Sequence, residues 1–236
     1  NYNGSSHQDN LNLNNDRTQF TGNLTIALGD GNDSISSAKF TNSDSLDAGA
    51  GDDTIALMVG GGSGTPAFTS FNMTKLDGGS GSDTLSFTES TTGGTELNLT
   101  LGGAVNFENL NGTSAAETIR GDSGNNIITG NSGADTIYGG SGDDTLKADN
   151  LDSGPGNADG AGYFTDNDNL YGEAGNDTLA ANEGDNILDG GTGADTITSG
   201  SGSDTIILRV GDGGSTLADA DTITDFTDGS DKLGMD

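Results

Sequence analysis

Large aliphatic residues recur along this chain at a spacing of nine. One run is Ile119, Ile128, Ile137 and Leu146; a second is Leu170, Leu179, Leu188, Ile197 and Ile206. Each is the centre of a three-residue window such as Thr136-Ile137-Tyr138 or Thr178-Leu179-Ala180. In an extended chain the central side chain points to one face and its neighbours to the other, so each window predicts a short strand that buries one residue. Threonine just before the aliphatic residue suits a β surface. The same window, at less regular spacing, recurs upstream at Ile35, Leu46, Ile55, Leu76, Leu85 and Leu110. Strand and turn alternating at a fixed period predict an all-β solenoid whose core is one stack of aliphatic side chains.

The six residues between windows have their own pattern. They read Gly130-Asn-Ser-Gly-Ala-Asp135, Gly139-Gly-Ser-Gly-Asp-Asp144, Gly172-Glu-Ala-Gly-Asn-Asp177 and Gly190-Gly-Thr-Gly-Ala-Asp195. The whole unit is G-G-x-G-x-D-x-U-x, with U a large aliphatic. Glycine at positions 1, 2 and 4 permits turn angles that other residues reach only with strain and brings carbonyl oxygens together. One carboxylate follows at position 6. Two such units make one coil of 18 residues with turns on opposite edges. Coils stacked at strand spacing, about 4.8 Å, then make turns two units apart vertical neighbours.

Composition sharpens this picture. Leu, Ile, Val and Phe number 43 of 236 residues, and the formal charge is −30. Such a chain is ordinarily disordered, because an apolar core this small does not offset chain entropy. Multivalent cations between carboxylates are the obvious further source of free energy. Of the acidic residues 31 are Asp and 6 are Glu, a bias toward the short carboxylate that suits ligands held close to a turn backbone. The chain has no Cys, which rules out disulfides and thiolate sites. It has no apolar run long enough to span a membrane and no visible signal peptide. Its charge disfavours nucleic acid and anionic membranes. Starting at Asn1 rather than Met, it is expected to be a fragment or a processed product.

Units run without a gap from Gly112 to Lys147 and from Tyr163 to Ile207. Between them, residues 148–162 are a Gly/Asp/Asn-rich inserted loop containing Pro155. Removing it stacks Asp135 on Asp168 and Asp144 on Asp177. Residues 1–111 are read as an N-terminal part of the same solenoid with insertions at 37–38, 57–68 and 87–102, and 208–236 as a capping segment. This bookkeeping places Asp33, Asp53, Asp83, Glu117, Asp135, Asp168, Asn186 and Asp204 on one edge. It places Asp44, Thr74, Glu108, Asn126, Asp144, Asp177 and Asp195 on the other. All three upstream insertions then fall on the second edge, leaving the metal-rich turns of the N-terminal half on the first. The alternative is two rolls joined by linkers. The strictly alternating Thr95–Leu101 is read as an added strand or edge cover, and Ile223, Phe226 and Leu233 as a plug for the C-terminal end.

The contiguous copies in one phase resemble the RTX (repeats-in-toxin) family of secreted bacterial proteins. The resemblance implies a right-handed parallel β-roll with calcium ions in the turns, loop insertions and a C-terminal cap. It also implies a ligand set: carbonyls of positions 2 and 4 of one turn and 1 and 3 of the next, with the sixth-position carboxylates of both. On this chain the implied metal residues are Gly29, Gly31, Asp33, Gly49, Gly51, Asp53, Gly79, Gly81 and Asp83, then Gly133, Asp135, Gly140, Gly142, Asp144, Asp168, Gly175, Asp177, Gly191, Gly193, Asp195, Gly200, Gly202 and Asp204. Stacked turns in this number suit roughly eight to eleven Ca2+ ions. The family carries type I secretion information in its C-terminal tail; with the chain stopping at Asp236, a complete signal is not expected here.

Catalytic signatures do not accompany the repeat. The one histidine, His7, lies in a polar stretch and is expected to be solvent-exposed. There is no HExxH, and Gly121-Asp-Ser-Gly124 brings its second glycine one place too early for a nucleophile elbow. The pairs Asp52-Asp53 and Asp143-Asp144 occupy positions 5 and 6 of the repeat, where calcium binding accounts for the second member. With seven Lys plus Arg and no Trp, the chain lacks the means for a basic or aromatic carbohydrate groove. The resulting expectation is a non-enzymatic, calcium-dependent structural module of a secreted bacterial cell-surface protein. Calcium and copies of itself or other surface components would be its partners. The alternative is the C-terminal roll of a toxin or hydrolase whose catalytic domain lies outside this chain.

Overall fold

The computed structural model describes residues 1–13, 23–38, 43–58, 73–88, 95–99, 103–149, 166–209, 211, 220–227 and 229–235. Most of the loop expected at 148–162, most of the insertions at 57–68 and 87–102, and residues 100–101 of the alternating segment lie outside the described residues. The named elements of the described residues are all β-strands. The chain forms two compact units, Asn1–Thr91 with Thr95–Asn111, and Thr92–Gly94 with Gly112–Asp236.

In the first unit the strands are β1 (Tyr2–Asn3), β2 (Asn10–Asn12), β3 (Thr25–Asp30), β4 (Ser34–Ala38), β5 (Ser45–Ala50), β6 (Thr54–Met58), β7 (Lys75–Asp77), β8 (Thr84–Thr88), β9 (Thr95–Asn98), β10 (Ala104–Val105) and β11 (Asn109–Asn111). They pair as β1-β3-β5-β7-β10 and as β2-β4-β6-β8-β11. Neighbours are two strands apart in sequence, as a coil of two strands requires, except that β9 intervenes before β10 and β11, and every one of these pairings is parallel. The register stacks like on like: Ile26, Leu46, Leu76 and Ala104 in one sheet, and Leu11, Ile35, Ile55, Leu85 and Leu110 in the other. The register between β4 and β6 slips between Ile35 and Ala38, where the sequence carries its two extra residues.

The second unit repeats the scheme with β12 (Glu117–Arg120), β13 (Ile127–Thr129), β14 (Thr136–Ser141), β15 (Thr145–Lys147), β16 (Asn169–Ala174), β17 (Thr178–Ala180), β18 (Ile187–Thr192), β19 (Thr196–Thr198), β20 (Thr205–Leu208), β21 (Thr222–Ile223) and β22 (Lys232–Met235). Its sheets run β12-β14-β16-β18-β20-β22 and β13-β15-β17-β19-β21, all parallel. Ile137 pairs with Leu170 and Leu146 with Leu179, so the strands on either side of residues 148–162 stack as if that segment were absent.

Every aliphatic residue that the nonapeptide phase assigned to position 8, from Ile35 to Ile206, is fully buried. The core is thus built from aliphatic columns, and in the first unit several strands bury a second residue, Leu28 beside Ile26, Ala48 beside Leu46, Leu57 beside Ile55 and Phe87 beside Leu85. Burying a Leu or Ile contributes about 1.5–3 kcal/mol, but each coil supplies few of them, so the rungs depend on one another.

Three expectations need correction. Glu108 does not stack on Thr74. Leu110 pairs with Leu85, and Glu108 Oε2 accepts a hydrogen bond from the Asp83 amide at 2.8 Å, so Glu108 continues the Asp83 column. The rung above Thr74 belongs to Ala104, which pairs with Leu76. Alanine is too small to be read as a core aliphatic, so one slot was hidden and the phase shifted by one turn. A rung was also missed at the start. Gly4-Ser-Ser-His-Gln-Asp9 fills the turn, and Leu11 stacks on Ile35. Finally, Ile223 and Leu233 extend the columns by pairing with Ile197 and Ile206, but Ile223 is only half-buried, and Phe226 at 40 % and Leu233 at 49 % are exposed, so the three do not form a buried plug. His7 is exposed, as expected.

Candidate metal centres

Each strand ends in a turn that returns the chain to the other sheet. The glycines at positions 2 and 4 make this possible. Gly29, Gly31, Gly49, Gly51, Gly79, Gly81, Gly133, Gly140, Gly142, Gly175, Gly191, Gly193, Gly200 and Gly202 all have positive φ. Gly142 shows why. Its φ is 113°, and a Cβ there would lie 2.7 Å from the carbonyl oxygen of Gly124 in the stacked turn. Positive φ and the missing side chain together let carbonyl oxygens of successive turns approach one another. Asn131, Glu173 and Asn182 hold the same conformation at position 2 without being glycine, with φ of 78°, 76° and 73°.

The sixth-position side chains form ladders. In the first unit the Asp9 amide donates to Asp33 Oδ1 (2.6 Å), Asp33 to Asp53 (2.7 Å), and Asp53 to Asp83 (2.8 Å). In the second unit one edge runs from Glu117 to Asp135 (2.8 Å), Asp168 (2.7 Å), Asn186 (2.9 Å) and Asp204 (2.9 Å). The other runs from Asn126 to Asp144 (2.8 Å), Asp177 (2.7 Å) and Asp195 (2.8 Å). The tail adds one rung to each, with Asp204 donating to Asp231 at 3.3 Å and Asp195 to Asp221 at 3.1 Å. Every sixth-position carboxylate named in the sequence falls in one of these columns except Asp44, whose Oδ1 accepts from the Leu24 amide at 2.8 Å; Asp9, Asp221 and Asp231 join them.

The ladder uses one carboxylate oxygen per rung. The second oxygen of Asp33, Asp53, Asp83, Asp135, Asp144, Asp168, Asp177 and Asp204 is buried with no hydrogen-bond partner among the described residues. It turns back into its own turn: a Cβ on Gly139 would stand 3.0 Å from Cγ of Asp144, and one on Gly130 3.1 Å from Cγ of Asp135. Burial raises these carboxyls above the ordinary range, with the neighbouring carboxylates adding to the effect. Asp135 is pushed up to about 8, Asp168 and Asp177 to about 7, and Asp83 and Asp144 to about 6. Asp33, Asp53, Glu117 and Asp204 are raised for the same first reason.

Basic side chains bond elsewhere. Lys75 contacts Asp47 at 2.6 Å and Asp77 at 3.1 Å, and Arg209 contacts Asp189 at 2.5 Å. A buried carboxylate with an unmet oxygen costs several kcal/mol unless a cation meets it. The donors on offer are carboxylate and carbonyl oxygens, which fit a hard cation such as Ca2+. Among the described residues no three carboxylates or imidazoles converge on one point.

Position 5, read as free in the repeat, has its own ladder. Asn32 Oδ1 accepts from the Asp52 amide (3.1 Å), and Asp52 Oδ1 from Ser82 (3.0 Å). Asn125, Asp143 and Asn176 do the same in the second unit, accepting from Asp143 (3.0 Å), Asn176 (2.8 Å) and Ala194 (2.9 Å). The pairs Asp52-Asp53 and Asp143-Asp144 are thus two parallel ladders. The signal was visible as a run of Asn and Asp at position 5.

Parallel coils joined by glycine turns that bury half-satisfied carboxylates define a cation-binding β-roll. A family profile described as the RTX calcium-binding nonapeptide repeat, in four copies, matches residues 41–64, 111–146, 164–197, 171–206 and 180–214. The chain is an RTX-repeat protein, and its repeats make it a calcium-binding structural module of a secreted, extracellular protein. No curated protein matches the chain. Among the described residues no helix is long and apolar enough to cross a membrane.

Proposed function

We propose that calcium ions sit in the stacked turns and that their binding folds the chain. In the first unit they lie along the Asp33, Asp53 and Asp83 column. In the second they lie along the column of Asp135, Asp168 and Asp204 and along that of Asp144, Asp177 and Asp195. The ligand oxygens are these carboxylates and the carbonyls of the glycine turns, Gly29, Gly31, Gly49, Gly51, Gly79 and Gly81 in the first unit and Gly133, Gly140, Gly142, Gly175, Gly191, Gly193, Gly200 and Gly202 in the second. The observation that carries this reading is the repeated half-satisfied carboxylate: one oxygen fixed by the amide of the rung before it, the other buried and unmet among the described residues.

Function follows by linkage. Without calcium, ionised carboxylates in successive turns repel, and the chain stays expanded enough for export. Outside, at roughly millimolar calcium, sites of the weak extracellular class fill and drive folding. We assign the module to a bacterial cell-surface protein of the surface-layer, adhesin or fibre kind, with copies of itself or other surface components as partners. Supporting this, nearly all described residues build rungs and turns, and no catalytic motif accompanies them.

Circular dichroism tests the core of the proposal. The spectrum is expected to pass from coil-like in chelator to β-rich with calcium. An unchanged β spectrum in chelator refutes it.

A further inference from the structure

The turns of the second unit are of two kinds. In the inner coils the second oxygen of Asp135, Asp144, Asp168, Asp177 and Asp204 is buried and unmet among the described residues. In the first coil, residues 112–129, both turns close on themselves. Glu117 Oε2 accepts the Thr113 amide at 3.1 Å, and Glu117 Oε1 accepts the Thr113 hydroxyl. Asn126 Oδ1 accepts the Asp122 amide at 2.9 Å, and Asn126 Nδ2 donates to Asp122 Oδ1 at 3.3 Å. The backbone differs in the same way. Positions 2 and 4 have positive φ at Asn131 and Gly133 and at Gly140 and Gly142 on the next coil, but not at Thr113 and Ala115 or at Asp122 and Gly124. The first coil therefore lacks the turn geometry that gathers carbonyl oxygens in the inner coils.

This coil is also tied to the coils that follow it. The Glu117 and Asn126 amides hold Oδ1 of Asp135 and of Asp144, each at 2.8 Å. On the outer face of the sheet, away from the turns, Arg120 pairs in register with Tyr138 and Tyr138 with Tyr171. The Arg120 guanidinium carbon lies 3.9 Å from the centre of the Tyr138 ring. Tyr138 in turn stacks on Tyr171, with ring centres 4.9 Å apart and planes 12° apart. Three coils are thus joined by contacts that use no turn oxygen. The core of the first coil is complete, since Ile119 and Ile128 are fully buried. The tail coil is less so: Asp231 also closes on its own turn, accepting the Thr227 amide at 2.6 Å, but Leu233 beside it is 49 % exposed.

We infer that residues 112–129 form a coil that needs no cation of its own and is the starting point from which the calcium-dependent coils of the second unit build. This rests on the calcium reading of the inner turns and goes beyond it by giving folding an origin. Each closure spans four residues, so it forms at a smaller entropic cost than a rung between coils. A solenoid then propagates from such a nucleus by stacking neighbour on neighbour. Calcium arriving next completes the turns of Asp135 and Asp144, whose ladder oxygens the first coil already holds.

Hydrogen exchange of the full chain, read by mass spectrometry at stepped calcium, tests this. Amides of residues 112–129 are expected to gain protection at lower calcium than those of residues 166–209. Protection that appears first in the later coils, or everywhere at one calcium level, overturns the inference. Two variants separate closure from ligation. Glu117→Ala leaves the Thr113 amide unmet and is expected to raise the calcium midpoint for protection of the second unit about fivefold or more, the scale of one unmet buried donor. Glu117→Gln keeps an oxygen for that amide and is expected to stay within about twofold of the parent chain. Equal rises in both variants make Glu117 a charged ligand, and no rise in Glu117→Ala makes the closure idle; either result overturns the inference. If Glu117→Ala does not fold at any calcium level, the order of protection in the parent chain and the midpoint of Glu117→Gln carry the test. A parent chain whose exchange does not respond to calcium removes the calcium reading itself, a separate outcome.

Discussion

The turns ending at Asp177 and Asn186 follow each other along the second unit, fill the same slot of the repeat, and solve one problem in two ways. Each side chain accepts the amide of the rung before it, Asp144 at 2.7 Å and Asp168 at 2.9 Å. They differ in the second atom. In Asp177 it is an oxygen, buried and unmet. In Asn186 it is an NH2 group that donates to the carbonyls of Gly184 at 3.1 Å and Glu183 at 3.4 Å. The amide hydrogens thus meet the very carbonyls that a cation would otherwise draw together. An Asn turn closes on itself, whereas an Asp turn stays incomplete until positive charge arrives. The ladder and the cation are therefore separable, and substitutions at this slot can break one without the other.

The largest effect is expected for Asp177→Ala. It strands the Asp144 amide and removes the carboxylate, a combined loss of about 2–5 kcal/mol from one unmet buried donor and one charged ligand. The calcium midpoint for folding, followed by circular dichroism, should rise at least tenfold. Asp177→Asn is expected to be milder, because the amide oxygen keeps the ladder and only the charge is lost. If the two variants have the same midpoint, the ladder contributes nothing measurable and the separation fails.

Asn186→Asp runs the comparison backward. It deletes the donor that satisfies the turn carbonyls and installs an unmet oxygen. Equilibrium dialysis should find one more calcium bound per chain, and the calcium-free chain should be less ordered than its parent. An unchanged stoichiometry would mean that position 6 alone does not make a site.

The smallest effect expected is a pH dependence whose sign reverses with calcium. A carboxyl raised above its ordinary 3.8 takes up protons on folding, so its cost to the fold is absent below about pH 4. That cost grows as pH rises and is complete above the highest value, about 8 for Asp135. In calcium-free solution, circular dichroism should show order increasing as pH falls from 8 toward 5. With calcium the dependence turns over: protons compete for the same carboxylates, and the midpoint for calcium-driven folding should be higher at pH 5.5 than at pH 8. A midpoint independent of pH would separate the raised carboxyls from the cation sites.

The two units differ in how much of this was legible. In the second, unbroken nonapeptides fixed the phase, and Asp135 on Asp168 and Asp144 on Asp177 could be read straight across the inserted residues. In the first, the interruptions leave the slots to be counted with free insertion lengths, and a small core residue is enough to derail the count. Ala104 did so, sending Glu108 to the wrong column. The first rung, with Asp9 and Leu11, went unread because only one glycine of its turn is present.

By itself the sequence determined the period, the buried face and the acidic slot. These are local: a three-residue strand buries its central aliphatic whatever lies beyond it, and glycine turns followed by aspartate recur often enough to define a repeat. Tertiary structure decided what each oxygen does. Contacts between turns 18 to 33 residues apart divide carboxylates such as Asp135 and Asp177 into an oxygen bound by the rung before and an oxygen left for a cation. They also convert position 5 from a free site into a second ladder. A neighbour one coil away, set by sheet register rather than by chain order, does not appear in any local pattern.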